Sequence, residues 1–103
     1  MTRVVHCKRN NYDVYIGRGK DPQTGILGKW GNPFKIGMTY QGKVLTREDA
    51  IEAYRDWILY SDQGVELQKD LHELRGKILG CWCKPKACHG DILANLANRL
   101  EEK

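Results

Sequence analysis

The sequence predicts an α/β fold: one small Rossmann-like domain over residues 1–103, in two or three layers, with a mixed, partly parallel sheet and about three helices. Three observations predict it. Short runs rich in β-branched and aromatic residues open the chain, apolar stripes at helical spacing fill its second half, and a further apolar strand lies before the last of those stripes. A strand followed by two helices and another strand implies a crossover, so the outer strands of that unit are expected to run parallel in one sheet.

The first strand is expected over residues 3–7 and the second over 13–16, joined by Lys8-Arg9-Asn10-Asn11. Residues 17–37 carry eight breakers, among them Gly17, Gly19, Gly31 and Pro33, and show no helical period, so they read as a long loop that Trp30 and Phe34 keep ordered. A hairpin over 34–45 turns at Gln41-Gly42. Thr46 is a good N-cap for a helix over 47–60, with Glu48 and Asp49 in its first turn and Ile51, Tyr54, Trp57 and Ile58 as its buried stripe. Ser61-Asp62-Gln63-Gly64 breaks it. Leu67, Leu71 and Leu74 mark a second helix that ends at Gly76, residues 77–83 read as a buried strand, and Ile92, Leu93, Leu96, Ala97 and Leu100 give the last helix its apolar face.

Composition narrows the functional classes. With 103 residues and 41% hydrophobic content, the chain makes one core and has no room for a second domain. Its N-terminal apolar stretch is too short for a signal peptide and no run approaches membrane-spanning length, so a cytoplasmic protein is expected. The four cysteines are then expected to be free, metal-bound or catalytic. The net charge of +4 is concentrated in the first half, at Arg3, Lys8, Arg9, Arg18, Lys20, Lys29 and Lys35. It favours an anionic partner: a small nucleotide-like ligand, or nucleic acid.

Chemistry concentrates at Cys81-Trp82-Cys83-Lys84-Pro85-Lys86-Ala87-Cys88-His89-Gly90-Asp91, which holds three of the four cysteines and one of the three histidines. Three readings stay open. Zinc held by Cys81, Cys83, Cys88 and His89 has the right donor types, but residues two apart on a strand lie roughly 7 Å apart, whereas the sulfurs on one zinc are about 4 Å apart. In a catalytic reading Cys88 and His89 sit at the start of the final helix, whose dipole lowers a thiol pKa, Gly90 opens that helix to a ligand, and Asp91 caps it or orients the imidazole. In the third, the cysteines simply pack a tight corner.

Two earlier segments complete the candidate site. Gly17-Arg18-Gly19 resembles an anion-binding turn, with glycine letting backbone N–H groups approach a phosphate and Arg18 pairing with it, or else is a purely structural turn. Trp30-Gly31-Asn32-Pro33-Phe34 offers aromatics to stack on a base and an amide to read its edge, or else rings that fold into the core. If strand 13–16 runs parallel to strand 77–83, the glycine turn and the cysteine cluster meet at the carboxyl edge, where open α/β sheets place ligands.

The blocks Val4-Val5-His6-Cys7-Lys8-Arg9, Asp13-Val14-Tyr15-Ile16-Gly17-Arg18-Gly19, Trp30-Gly31-Asn32-Pro33-Phe34, Leu74-Arg75-Gly76-Lys77 and Cys81-Trp82-Cys83-Lys84-Pro85, with Cys88-His89-Gly90-Asp91, closely resemble the family catalogued as DUF4326. The resemblance covers almost the whole chain. It implies a small stand-alone domain of bacteria and their viruses, and a set of motif positions rather than a reaction. Two functional classes are therefore expected. One is a protein that binds, or acts as a hydrolase or transferase on, a nucleotide, nucleoside or modified base; the other is a non-catalytic, zinc-stabilised binding module for nucleic acid or a protein partner.

Overall fold

Valine and isoleucine do form strands at both ends of the predicted crossover, though shorter ones than their runs allow. The computed structural model, which describes residues 1–101, places β1 at Arg3–His6 and β2 at Val14–Tyr15. The central strand is Ile78–Cys81, designated β5, and the order is β1–β5–β2. Both neighbours pair with it in parallel, Val4 opposite Leu79 and His6 opposite Cys81 on one side, Tyr15 opposite Gly80 on the other. A central parallel strand is covered on both faces, which is why Leu79, Gly80 and Cys81 are all buried. Antiparallel pairing is confined to a separate hairpin, β3 at Thr39–Tyr40 and β4 at Lys43–Val44, whose turn has positive φ at Gln41 and Gly42.

The first helix, α1, spans Arg47–Tyr60 and begins as its sequence dictates. Thr46 accepts the Asp49 N–H at 3.2 Å while the Asp49 carboxylate accepts the Thr46 N–H at 3.0 Å, a reciprocal capping box. Its buried row is Ala50, Tyr54 and Ile58, and Ile51 turns out half-buried at the cleft described below. The expected break at 61–64 shrinks to Ser61 alone. Its hydroxyl donates to the Trp57 carbonyl at 2.6 Å and accepts the Gly64 N–H at 2.9 Å, ending α1 and starting α2 (Asp62–Gln68) in one step. A Cβ at Gly64 would lie 2.0 Å from the Trp57 carbonyl oxygen, so only glycine lets the two helices cross there. The single helix predicted to carry Leu67, Leu71 and Leu74 is in fact two pieces, α2 and a 3-10 turn at Leu71–Leu74. Packing of Leu71 and Leu74 into the core outweighs continuation of the helix.

The last helix, α3, spans Gly90–Glu101 and packs on β1, β5 and the 3-10 turn with Leu93 and Ala97 fully buried. Full burial of a leucine of this kind is worth roughly 1.5–3 kcal/mol. Ile16, Trp30, Tyr54, Ile58, Leu74 and Leu79 complete the core. At the amino edge of the sheet, Thr2 and Asn98 exchange two hydrogen bonds, of 2.8 and 3.1 Å, and the Thr2 hydroxyl donates to the Leu74 carbonyl at 2.7 Å. Among the described residues, no helix is long and apolar enough to cross a membrane.

Candidate functional site

Because all three strands of the sheet run the same way, β2 and β5 deliver their following segments to one edge. There they wall a cleft of about 450 Å³. Gly17 and Arg18 come from the end of β2, Asn32 and Phe34 from the long loop, and Cys81, Cys88 and His89 from the β5 and α3 junction. The expected meeting of glycine turn and cysteine cluster is thus present.

Cys81, Cys88 and His89 are all buried, and one ligand atom from each lies within 4.8 Å of the others, a group able to hold a metal ion. The local chain explains the placement. Cys81 is the last residue of β5, and Cys88 and His89 accept the first N–H bonds of α3, from Asp91 at 3.0 Å and from Ile92 at 3.0 Å. Asp91 reaches back to accept the Cys88 N–H at 3.1 Å and also binds the Lys84 ammonium. Of the two roles foreseen for Asp91 it takes the cap; the imidazole is oriented by something else.

That something is the end of β2. His89 Nε2 donates to the Ile16 carbonyl at 2.7 Å, which fixes the tautomer, and the Tyr54 ring meets the imidazole at 4.8 Å between centroids. Burial holds the imidazole pKa down to about 4, so the ring is neutral at pH 7 and its other nitrogen keeps a lone pair. The two thiols differ. A hydrogen bond from Cys81, aided by the Gly90 N–H, draws Cys88 below the usual thiol range against its own burial. Donating that bond, and burial, push Cys81 strongly up. Of the two, Cys88 is the thiol that ionises more readily and Cys81 the one that keeps its proton longer.

Of the four donors that the zinc reading names, three stand together in this group. The strand stops at Cys81, and the chain then turns, with the Lys86 N–H bonding the Cys83 carbonyl at 2.9 Å, so Cys83 stands half-buried on the cleft wall outside the group. Burial pushes its thiol up, while Arg47 bonds it and draws it back.

The long loop is built from the residues that sequence offered as ligand contacts. Trp30 is 2% exposed and belongs to the core, away from the cleft, so it frames no base. Asn32 lines the cleft, but its Nδ2 donates to the Ala50 carbonyl at 3.1 Å and its Oδ1 accepts the Phe34 N–H at 2.9 Å. The amide is thus engaged at both ends by the fold itself, which fixes its orientation. A Cβ at Gly31 would sit 3.0 Å from Arg18 Cα and the Gly17 carbonyl, so its glycine serves loop-to-loop contact. Gly19 and Pro33 are exposed and, with Gly31 and Gly90, do not line the cleft. Gly90 packs between Ile16 and Cys88, where a Cβ would meet them at 2.5 and 3.2 Å.

Arg18 does face the cleft, and it also holds the loop. Its Nε and Nη2 donate to the Asn32 and Phe34 carbonyls at 2.6 and 2.9 Å, leaving three of its roughly five N–H donors for other partners. Sequence reasoning missed Lys35, Arg47 and Trp82, which also line the cleft. Arg47 is set by Nη1 donating to the Ala87 carbonyl at 3.0 Å. Among the described residues, the charged side chains on the wall are Arg18, Lys35 and Arg47, all cationic, with no carboxylate lining it. Nothing in the sequence set Lys35 or Arg47 apart from ordinary surface charge.

Fold and site together define a small parallel α/β protein with a buried Cys/Cys/His group under a cationic cleft. The chain belongs to the family described as a domain of unknown function, DUF4326, which it matches over residues 3–99. It is 41% identical over 102 residues to an uncharacterised 12.4 kDa protein from the nrdA–td intergenic region of Enterobacteria phage T4, covering 97% of this chain and 81% of that protein. It is 33% identical over 115 residues to the uncharacterised protein R718 of Acanthamoeba polyphaga mimivirus, covering 96% and 82%. No solved structure matches the chain.

Proposed function

We propose that the protein binds a small phosphorylated ligand of the nucleotide or nucleoside class in this cleft, and that Cys81, Cys88 and His89 hold zinc at its floor. The observation that carries the reading is a cleft whose charged wall residues, among the described residues, are Arg18, Lys35 and Arg47, all cationic. Three cations around about 450 Å³ favour an anion, and the volume suits one nucleotide-sized molecule. Two sulfurs and one imidazole nitrogen are a donor set that zinc prefers over hard cations. Three protein ligands are also the set found where zinc keeps a position for water or substrate, and zinc bound in that way supplies Lewis acidity for hydrolysis or group transfer. This chain's own residues hold the ligand's negative charge at Arg18, Lys35 and Arg47 and keep His89 neutral. The reading assigns the protein to the reducing cytoplasm, where its four free cysteines stay reduced.

The test combines metal analysis with a thermal-shift panel of nucleoside mono-, di- and triphosphates. Purified protein is expected to carry about one zinc, lost in Cys88→Ser. A ligand at 100 times its Kd adds about 2.7 kcal/mol to stability. No shift with any phosphorylated compound at millimolar concentration overturns the ligand, and metal-free protein of unchanged stability overturns the zinc.

A further inference from the structure

Trp82 follows β5 on the wall of the cleft and is 47% exposed, while Trp30 is 2% exposed. A large aromatic ring left half in water forgoes burial that the fold gives its other tryptophans in full or in part. This ring is nevertheless held. Its Nε1–H donates to the Tyr15 hydroxyl at 2.7 Å, and that hydroxyl donates to the Arg18 carbonyl at 2.7 Å. The Lys8 ammonium lies 5.6 Å from the ring centroid, and the His6 ring meets it edge-on at 6.0 Å. β1, β2 and the long loop thus fix an exposed indole whose polar handle is already spent. Phe34 lines the same cleft, but its ring is engaged edge-to-face by Tyr40 at 4.8 Å.

We infer that Trp82 is the stacking platform for a planar heterocyclic ring of the cleft's ligand, with the Tyr15 hydroxyl as a positioning group that ties the platform to the Arg18 turn. The inference rests on the proposed nucleotide-class ligand and assigns the side chain that receives its base, which a sugar phosphate or free phosphate would not use. The chemistry is complementary: an indole face beside three cations fits a molecule with an aromatic ring at one end and phosphate at the other. Base-on-aromatic stacking contributes on the order of tenfold or more in Kd.

The experiment measures Kd by calorimetry for AMP, GMP, CMP and UMP against ribose 5-phosphate, using the full chain. At least one nucleotide is expected to bind about tenfold or more tighter than ribose 5-phosphate. Trp82→Ala should erase that gap and leave ribose 5-phosphate unaffected, Trp82→Phe should keep most of it, and Tyr15→Phe should narrow it. Acrylamide quenching of the wild-type tryptophan fluorescence gives a readout that needs no variant: nucleotide should protect, ribose 5-phosphate should not. Equal affinity for ribose 5-phosphate and all four nucleotides overturns the stacking role while leaving the phosphate site standing. A gap that survives in folded Trp82→Ala, or quenching unchanged by bound nucleotide, also overturns it. If no phosphorylated compound binds, the cleft reading fails and the platform with it.

Discussion

The two segments that meet at the cleft each carry one tryptophan and are opposite in construction. The loop following β2 spends its conspicuous residues on itself: Trp30 fills the core, Asn32 ties to Ala50 and Phe34, and the Trp30 carbonyl accepts the Tyr54 hydroxyl at 2.9 Å. The segment following β5 keeps Trp82 and Cys83 at the cleft and sets Cys88 and His89 in its floor. The difference teaches that a dense aromatic and amide motif can be the frame of a cleft, while a single ring beside it is left open to solvent on the wall.

Substitutions can break that contrast. Trp30→Ala removes a fully buried ring and is expected to cost about 3–5 kcal/mol, read from urea unfolding, whereas Trp82→Ala should cost less than about 1 kcal/mol. Equal costs at the two positions would erase the distinction between frame and contact. The next effect is of pH, and it asks whether His89 belongs to the frame. Its folded pKa of about 4 lies below the unfolded value near 6.5. The unfolded chain therefore takes up the extra proton first, and stability in metal-free protein is complete above about pH 6.5 and falls as pH drops toward 4, by roughly 3 kcal/mol. Unfolding curves that coincide at pH 7 and pH 4 after correction with His89→Gln would contradict a buried neutral ring.

Smaller effects sharpen the comparison. Asn32→Ala leaves the Ala50 carbonyl and the Phe34 N–H without their partners and should cost about 1–3 kcal/mol in thermal unfolding. Any loss of ligand affinity should be mirrored in stability. Lys35→Ala is the reverse case. Stability should change by less than about 0.5 kcal/mol, while affinity for a phosphorylated ligand falls several-fold at low salt and less at high salt; a salt-independent loss would show that Lys35 acts through shape.

What the sequence disclosed follows how local each cause is. The Thr46 and Asp49 cap needs only residues three apart, and the β2–β5 pairing follows from the handed crossover, so both were legible. Thus the meeting of the Gly17 turn with Cys88 and His89 could be foreseen from topology alone. The division of α2 from the 3-10 turn depends on how Leu71 and Leu74 reach the core, which no helical period records. Trp30 and Trp82 carry the same side chain, and only tertiary packing buries one and holds the other out. Cys83 falls outside the Cys81, Cys88 and His89 group because β5 ends two residues before it, and element ends are the part of a sequence reading least fixed by local propensity. Lys35 and Arg47 carried no signal, since a cation at a cleft and one on a surface are written identically.

The Thr2–Asn98 clasp joins the first strand to the last helix at the edge of the sheet opposite the cleft, because α3 starts at the cleft and runs back toward the amino ends of the strands. The two ends of α3 are therefore anchored by different chemistry, and a local opening that unclasps Asn98 can fray the far end of the helix while Cys88 and His89 stay in place.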